Sequence, residues 1–207
     1  MRIISFIDSN VIIMYEAKNF ERLLGTEGFS DVLLRNHFTL YEGYVSNTNK
    51  ATEYLKTSEV GTSQWNETKR RLGWEWNGMR LHELYFGNMI KGGTTLDKKG
   101  ALAKQLIADF GSLESWEKDF RTTGAMRGIG WAILARDNET GRLFNVWVNE
   151  HDTGHLAGAK ILLVMDVFEH AFMLDYGIKR ADYINAFWKA IDWDVVGSRF
   201  APTPIPA

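Results

Sequence analysis

The side chains best suited to metal chemistry fall at three separate places in the chain. His37 precedes Tyr44 by seven residues in a helical pattern, and His82 lies among apolar and aromatic residues. Asp166 and His170 are four residues apart and directly follow an apolar run. Because the chain has no cysteine, a metal would be held by nitrogen and oxygen donors, which suit manganese, iron or zinc.

Each of these places also has a purely structural explanation. His82 could be a hydrogen-bonded core residue, and His37 a half-exposed residue of a helix. Asp166 could cap a structural element beside a satisfied His170. Taken together, however, one histidine from each of two long helices, with this aspartate and histidine, would supply three imidazoles and one carboxylate. That set leaves room for a solvent ligand, as a redox metal needs if substrate or hydroxide is to approach it, so the combination predicts a metal site.

The composition is that of an ordinary globular protein, with 45% hydrophobic and 24% charged residues. The formal net charge of -2 gives no electrostatic case for nucleic acid. No apolar run approaches the roughly 20 residues of a membrane span. Residues 1–18 lack a small-residue cleavage site, so we expect a short N-terminal extension, no signal peptide and a cytoplasmic location.

Two long helices are expected in the first half, at residues 30–55 and 63–89, where apolar and aromatic residues recur at helical spacing. Ser30 and Asp31 are N-cap candidates for the first helix. A break at 58–61 would fold the pair into an antiparallel hairpin. The glycine-rich segment 91–95 is the best boundary, which divides the chain into a helical hairpin domain, residues 1–93, and a C-terminal α/β domain, residues 94–207.

The second half combines helices with short strands. Runs rich in apolar, β-branched and aromatic residues predict three strands, with a turn at 137–141 between the first two. The predicted strands are 131–135, 143–148 and 160–165, and the predicted helices are 101–110, 112–123 and 182–200. The proline-containing tail, 201–207, is expected to fray. The fold class is therefore α+β, a long antiparallel helical hairpin followed by a small three-stranded antiparallel sheet surrounded by helices.

Several motifs, in this order, resemble those of the iron/manganese superoxide dismutase family. The matching segments are Asp109-Phe110-Gly111-Ser112, Gly128-Ile129-Gly130-Trp131-Ala132, Asp166-Val167-Phe168-Glu169-His170-Ala171, Arg180-Ala181-Asp182-Tyr183 and, in the first half, Tyr44-Val45-Ser46-Asn47-Thr48-Asn49. The resemblance covers roughly residues 15 to 200. The Asp-x-x-x-His-Ala and Arg-x-Asp-Tyr pair is its most specific part.

The resemblance implies that His82, Asp166 and His170 are metal ligands, but the first ligand departs from the family pattern. The family has a histidine eight residues before the tyrosine of the Tyr44 segment, where this chain has Asn36. His37 is seven residues before that tyrosine. Because a spacing of seven keeps one helix face and a spacing of eight needs an inserted residue, a π-bulge, we predict that the inserted residue is lost. His37 is then the ligand; a weakly binding Asn36 or a broken site are the alternatives.

Roles around the metal are also implied by the resemblance. Family members place a glutamine against the metal-bound solvent from either of two positions, which are Gly78 and His151 here. Tyr44 matches the gateway tyrosine that relays protons, and Trp131 matches a cavity-lining tryptophan. Glu169 matches the glutamate that reaches a metal-bound histidine of the partner subunit. His151 in place of glutamine leaves the choice between iron and manganese open.

The resemblance therefore implies a superoxide dismutase with one iron or manganese ion per subunit and superoxide as substrate. It also implies a homodimer. From the net charge and the absence of a long apolar run, we expect no nucleic-acid or membrane partner. Local attraction for the anionic substrate would come from the metal and Arg180. The alternative is a non-catalytic or differently acting metal-binding relative on the same dimeric scaffold.

Overall fold

The computed structural model describes residues 14–201. The expectations for the first 13 residues and for the tail after residue 201 therefore lie outside the described residues. Within the described range, no helix combines the length and the apolar character needed to cross a membrane.

The first half is a hairpin of two long helices, α1 (Asp31–Thr57) and α2 (Ser63–Gly87), as predicted. Helix α1 begins where the Ser30 hydroxyl accepts a hydrogen bond from the backbone N–H of Leu33 (3.1 Å), a standard N-cap. Between the helices, Gly61 has φ = 88°, a conformation that is favourable only for glycine. The packed faces of the two helices bury both His37 and His82.

The second half begins with helices α3 (Ala101–Phe110) and α4 (Leu113–Ala125). Three antiparallel strands follow, β1 (Gly130–Asp137), β2 (Leu143–Asn149) and β3 (Ala159–Asp166), and the strand order in the sheet is β2-β1-β3. This confirms the predicted α+β fold. In the central strand, Trp131 pairs with Val148 on one side and with Asp166 on the other. The register therefore brings the C-terminal ends of β2 and β3 to the same end of the sheet, on either side of Trp131.

The prediction of one C-terminal helix over 182–200 is wrong. A short helix, α5 (Met173–Tyr176), is followed by two separate helices, α6 (Arg180–Lys189) and α7 (Trp193–Phe200). The carbonyls of Ala190 and Ile191 accept hydrogen bonds from the N–H groups of Ile90 and Thr94, at 2.8 and 2.9 Å. These long-range bonds interrupt the helix, and the Asp192 side chain caps the start of α7.

The segment joining α2 to α3 lies where the boundary between two domains is predicted. One continuous set of buried apolar side chains includes residues from α1 and α2 as well as from the sheet and α6. The division into domains at residues 93 and 94 stays a prediction.

Candidate metal centre

Four side chains from both halves of the chain converge in the interior. We call this set the histidine–aspartate cluster, and its members are His37, His82, Asp166 and His170. The Oδ2 atom of Asp166 lies 3.2 Å from His37 Nε2, 3.6 Å from His82 Nε2 and 3.2 Å from His170 Nε2. The first three side chains are fully buried, whereas that of His170 is 24% exposed. Three ring nitrogens thus face one carboxylate oxygen.

Helix α1 contributes His37 and not its neighbour. His37 is 0% exposed and faces the cluster, whereas Asn36 is exposed on the outside of the same helix. The helix is α-helical throughout Asp31–Thr57, with no π-helical turn within it. This geometry supports the predicted loss of the inserted residue, which lets His37 and Tyr44 share one helix face. The ligand role of His37 stays a prediction.

Backbone contacts hold the Asp166 carboxylate in place at the end of β3. Its Oδ1 atom accepts a hydrogen bond from the N–H of Phe168 (2.8 Å), which leaves Oδ2 directed at the imidazoles. The Asp166 carbonyl accepts a hydrogen bond from the Tyr183 hydroxyl (2.6 Å), which also contacts the Tyr85 hydroxyl (3.1 Å). Sequence analysis missed this buried tyrosine pair because its members are 98 positions apart.

The orientation of His82 is set within helix α2. Its Nδ1 atom lies 2.6 Å from the Gly78 carbonyl, one turn earlier. Since a carbonyl can only accept, Nδ1 carries the proton and Nε2 is left as an acceptor. Metal-binding histidines commonly have their second ring nitrogen held in this way.

Burial and nearby polar groups set the pKa values of the cluster residues in a way that favours binding of a cation. Burial lowers the pKa of both His37 and His82, so these imidazoles are neutral and can donate lone pairs. Burial alone would raise the pKa of Asp166, but its electrostatic and hydrogen-bond interactions with the His170 and His37 rings outweigh burial and hold that pKa well below its usual range. The buried Asp166 carboxylate beside His37 and His82 carries a negative charge that a cation would balance.

The cluster fits a single transition-metal ion. With metal–ligand distances of about 2.1 Å, ligand atoms around one ion lie roughly 3 to 4 Å apart. Each Nε2 atom is 3.2 to 3.6 Å from Asp166 Oδ2, and the four ligand atoms all lie within 4.8 Å of one another. His82 Nε2 is buried without a hydrogen-bond partner, which is rare unless something else binds the atom. The nitrogen and oxygen donors suit iron or manganese. His37 Nδ1 is also unpaired, and a metal at this position does not account for that atom.

Beside the cluster, three side chains form a hydrogen-bonded chain. The Trp131 indole N–H donates to His151 Nδ1 (3.1 Å), and His151 Nε2 lies 2.8 Å from the Tyr44 hydroxyl. Burial lowers the pKa of His151 to about 4 and raises that of Tyr44 to about 12. Both groups are therefore neutral near pH 7.

The loop after β2 aims His151 inward. Glu150 has φ = 50°, the left-handed region that side-chain-bearing residues seldom adopt. Its carboxylate accepts a hydrogen bond from the Trp74 indole N–H (3.0 Å), and the Trp74 ring lies against His151, with centroids 4.5 Å apart. Sequence analysis missed Trp74, although Trp74, Gly78 and His82 follow one another at four-residue spacing on one face of α2.

Aromatic rings enclose the cluster on several sides. Phe86 is fully buried with its centroid 4.9 Å from that of His37. Phe168 stacks on both His170 (5.2 Å) and His151 (4.9 Å). Apolar walls of this kind limit the access of water and of other ligands.

Gly78 explains how Tyr44 reaches this position. A Cβ atom added at Gly78 would lie 2.5 Å from a carbon of the Tyr44 ring. The ring thus occupies the space that any side chain at residue 78 would need. Tyr44 also stacks on His82, with centroids 5.1 Å apart.

The remaining candidates lie outside the cluster. Glu169 is exposed, and together with His170 it lines a surface depression. The Arg180 guanidinium donates to the carbonyls of Met126 and Gly128, at 2.6 and 2.8 Å. His155 lies in the loop, as expected, with Nε2 2.9 Å from the His151 carbonyl.

Comparison with known proteins is consistent with this geometry. Residues 98–199 match the family of iron/manganese superoxide dismutases, C-terminal domain. A manganese superoxide dismutase of Haloferax volcanii is 37% identical over 173 residues, which cover 82% of this chain and 85% of the relative. An iron superoxide dismutase of Aquifex pyrophilus is 36% identical over 194 residues, 89% of this chain and 90% of the relative. One from Cupriavidus metallidurans, also an iron enzyme, is 37% identical over 180 residues, 84% of this chain and 89% of the relative.

Proposed function

This chain belongs to the iron/manganese superoxide dismutase family, and from that premise we propose that the histidine–aspartate cluster holds the redox ion of a superoxide dismutase. The cofactor is iron or manganese. When bound, such an ion accepts an electron from one superoxide, releasing oxygen, and donates it to a second, which takes up two protons to give hydrogen peroxide. The observation that carries the proposal is the convergence of three Nε2 atoms on Asp166 Oδ2.

The residues of the cluster would bind the ion and keep the site rigid. Asp166 contributes a buried negative charge, and the N–H of Phe168 fixes its carboxylate. His82 is held by the Gly78 carbonyl, so its Nε2 lone pair keeps one direction. Such outer contacts reduce the rearrangement needed when the metal changes charge.

Tyr44 and His151 are our candidates for ordering and moving protons. Their side chains are joined at 2.8 Å, and the Tyr44 ring lies on the cluster residue His82. Both groups stay neutral near pH 7, so they can donate and accept protons without a net charge in the buried site. Trp131 and the phenylalanine rings would exclude water that is not part of this network.

We also propose that the active form is a homodimer. The support is an exposed apolar patch beside the cluster, formed by Leu40, Met126, Met173, Leu174 and Ile178, which are 43%, 47%, 46%, 58% and 92% exposed. The two depressions that contain these residues share Glu169 and Met173, and one of them includes His170. Large exposed apolar patches are typical of interfaces, and Glu169 would then lie where a partner subunit could meet it.

The test is a superoxide-consumption assay on the full chain, loaded separately with iron and with manganese, with metal content measured on the same samples. We expect consumption that scales with the bound ion and is absent from the metal-free protein. His82→Ala should lose both metal and activity, whereas His155→Ala, which changes a histidine outside the cluster, should keep both. Full metal loading without superoxide consumption would contradict the proposal. The cytoplasmic location stays a prediction, which fractionation of native cells would check.

A further inference from the structure

His151 sits at the centre of a hydrogen-bonded chain that links three elements. Trp131 comes from β1 and Tyr44 from α1, and His151 lies in the loop after β2. The contacts are 3.1 Å from the indole nitrogen to Nδ1 and 2.8 Å from Nε2 to the tyrosine oxygen. His151 is 0% exposed, so its ring depends on these protein partners.

In the contact between Trp131 and His151, only Trp131 can be the hydrogen-bond donor. An indole N–H is a donor and never an acceptor, so His151 Nδ1 must be the acceptor and cannot carry a proton. A neutral imidazole has one N–H, which is then at Nε2 and donates to the Tyr44 oxygen. A doubly protonated ring would place its Nδ1–H directly against the Trp131 N–H.

A half-turn of the His151 imidazole would not give an alternative set of hydrogen bonds. Trp74 covers it at a centroid distance of 4.5 Å, and Phe168 stacks on it at 4.9 Å. A half-turn of the ring would present carbon atoms to Trp131 and Tyr44, and both hydrogen bonds would be lost. The packing and the two hydrogen bonds therefore favour the same ring orientation.

We propose that Trp131 is a positioning residue that fixes His151 as the Nε2–H tautomer, so that the single imidazole N–H is directed at Tyr44. The Tyr44 oxygen is then an acceptor towards His151, and its own hydroxyl hydrogen remains available to other acceptors. Of these two side chains, Tyr44 has a hydroxyl hydrogen that it can donate towards the metal site, and His151 acts through Tyr44. Only this last step depends on the proposed function, because the tautomer follows from the contacts of His151 alone.

The test is nitrogen-15 NMR of the full chain with labelled histidine, both metal-free and loaded with diamagnetic zinc. His151→Gln identifies the His151 signals by their disappearance. In the parent protein we expect an unprotonated, hydrogen-bonded Nδ1 and a protonated Nε2 whose hydrogen exchanges slowly and lies near the Tyr44 ring. In Tyr44→Phe we expect the same tautomer with faster exchange of that hydrogen.

Trp131→Phe removes the indole donor and gives the contrasting result. We expect the Nδ1 signal to shift towards that of a nitrogen without a hydrogen bond, and some Nδ1–H form to appear. A protonated Nδ1 in the parent, or unchanged His151 signals in Trp131→Phe, would overturn the proposal. If Trp131→Phe does not fold, the parent and Tyr44→Phe spectra still decide. A protein with the expected tautomer but no superoxide consumption would contradict the proposed function and leave the role of Trp131 intact.

Discussion

Asp166 Oδ2 lies 3.2 Å from His37 Nε2, although the two residues are 129 positions apart in the chain. Helix α1 and strand β3 meet there because the packed face of α1 buries His37, and because the end of β3 holds Asp166 through the Phe168 N–H. The contact between His37 and Asp166 thus connects the helical hairpin with the sheet.

Metal content should distinguish His37 from its neighbour. His37→Ala removes one of three imidazoles that face Asp166, so we expect a large loss of bound iron or manganese. Asn36→Ala changes an exposed side chain outside the cluster and should leave the metal content unchanged. Elemental analysis of both variants, prepared in parallel, makes the measurement. Equal metal content in the two variants would contradict the prediction that the inserted residue is lost and that His37 is the first ligand.

Much of this arrangement could be predicted from the sequence, because helical periodicity identifies buried faces locally. The apolar pattern predicts the two paired helices, and the combination of His37 and His82 with Asp166 and His170 predicts that both histidines face inward; both are buried. The break between α6 and α7 could not be predicted, because it depends on hydrogen bonds from Ile90 and Thr94, about a hundred positions earlier. The contact between Trp131 and His151 is equally inaccessible to spacing arguments, since it depends on strand register and on an unusual backbone angle at Glu150.

Two glycines of helix α2 should respond oppositely to alanine. At an exposed helical site, glycine to alanine stabilises by about 1 kcal/mol, and Gly73 has nothing within 4 Å of an added Cβ. Gly73→Ala should therefore raise the free energy of unfolding. Gly78→Ala should lower it and displace Tyr44 from His151, because its Cβ would lie 2.5 Å from the Tyr44 ring. Denaturant unfolding of both variants checks this, and stabilisation by Gly78→Ala would show that the ring moves without cost.

The backbone at Glu150 should be measurably strained. A residue with a Cβ in the left-handed region costs about 1 kcal/mol relative to glycine, and Glu150 has φ = 50°. Glu150→Gly and Glu150→Ala both lose the hydrogen bond to Trp74. The difference between their free energies of unfolding therefore measures the cost of the left-handed backbone conformation. We expect the glycine variant to be the more stable by about 1 kcal/mol in urea unfolding. Equal stabilities would mean that the loop relaxes in the alanine variant.

Association should depend on the apolar patch. Leu174→Glu introduces a charge at a residue that is 58% exposed within it, and we expect the mass in solution to fall to that of one chain. Ile107→Glu changes an apolar residue of α3 that is 42% exposed and lies outside the patch, so it should leave the mass unchanged. Light scattering coupled to size-exclusion chromatography measures both. A dimer that survives Leu174→Glu but not Ile107→Glu would place the interface elsewhere.

His151 should make the metal-free protein sensitive to acid. An unfolded histidine has a pKa of about 6.5, whereas burial lowers that of His151 to about 4. Between these values the unfolded chain binds the proton more readily, so the free energy of unfolding falls as the pH drops from about 6.5 towards 4. For one group the loss between pH 7 and pH 5 amounts to about 2 kcal/mol.

The variant His151→Gln isolates this contribution. Glutamine can accept the Trp131 N–H and donate to Tyr44, but it has no proton to gain in this range. Urea unfolding of the metal-free parent and variant at pH 7 and pH 5 should therefore show a smaller pH-dependent loss in the variant. Other histidines that burial affects, such as His37 and His82, titrate in both proteins and cancel in the comparison. Identical losses would mean that His151 accepts a proton while buried, which its hydrogen bond from Trp131 opposes.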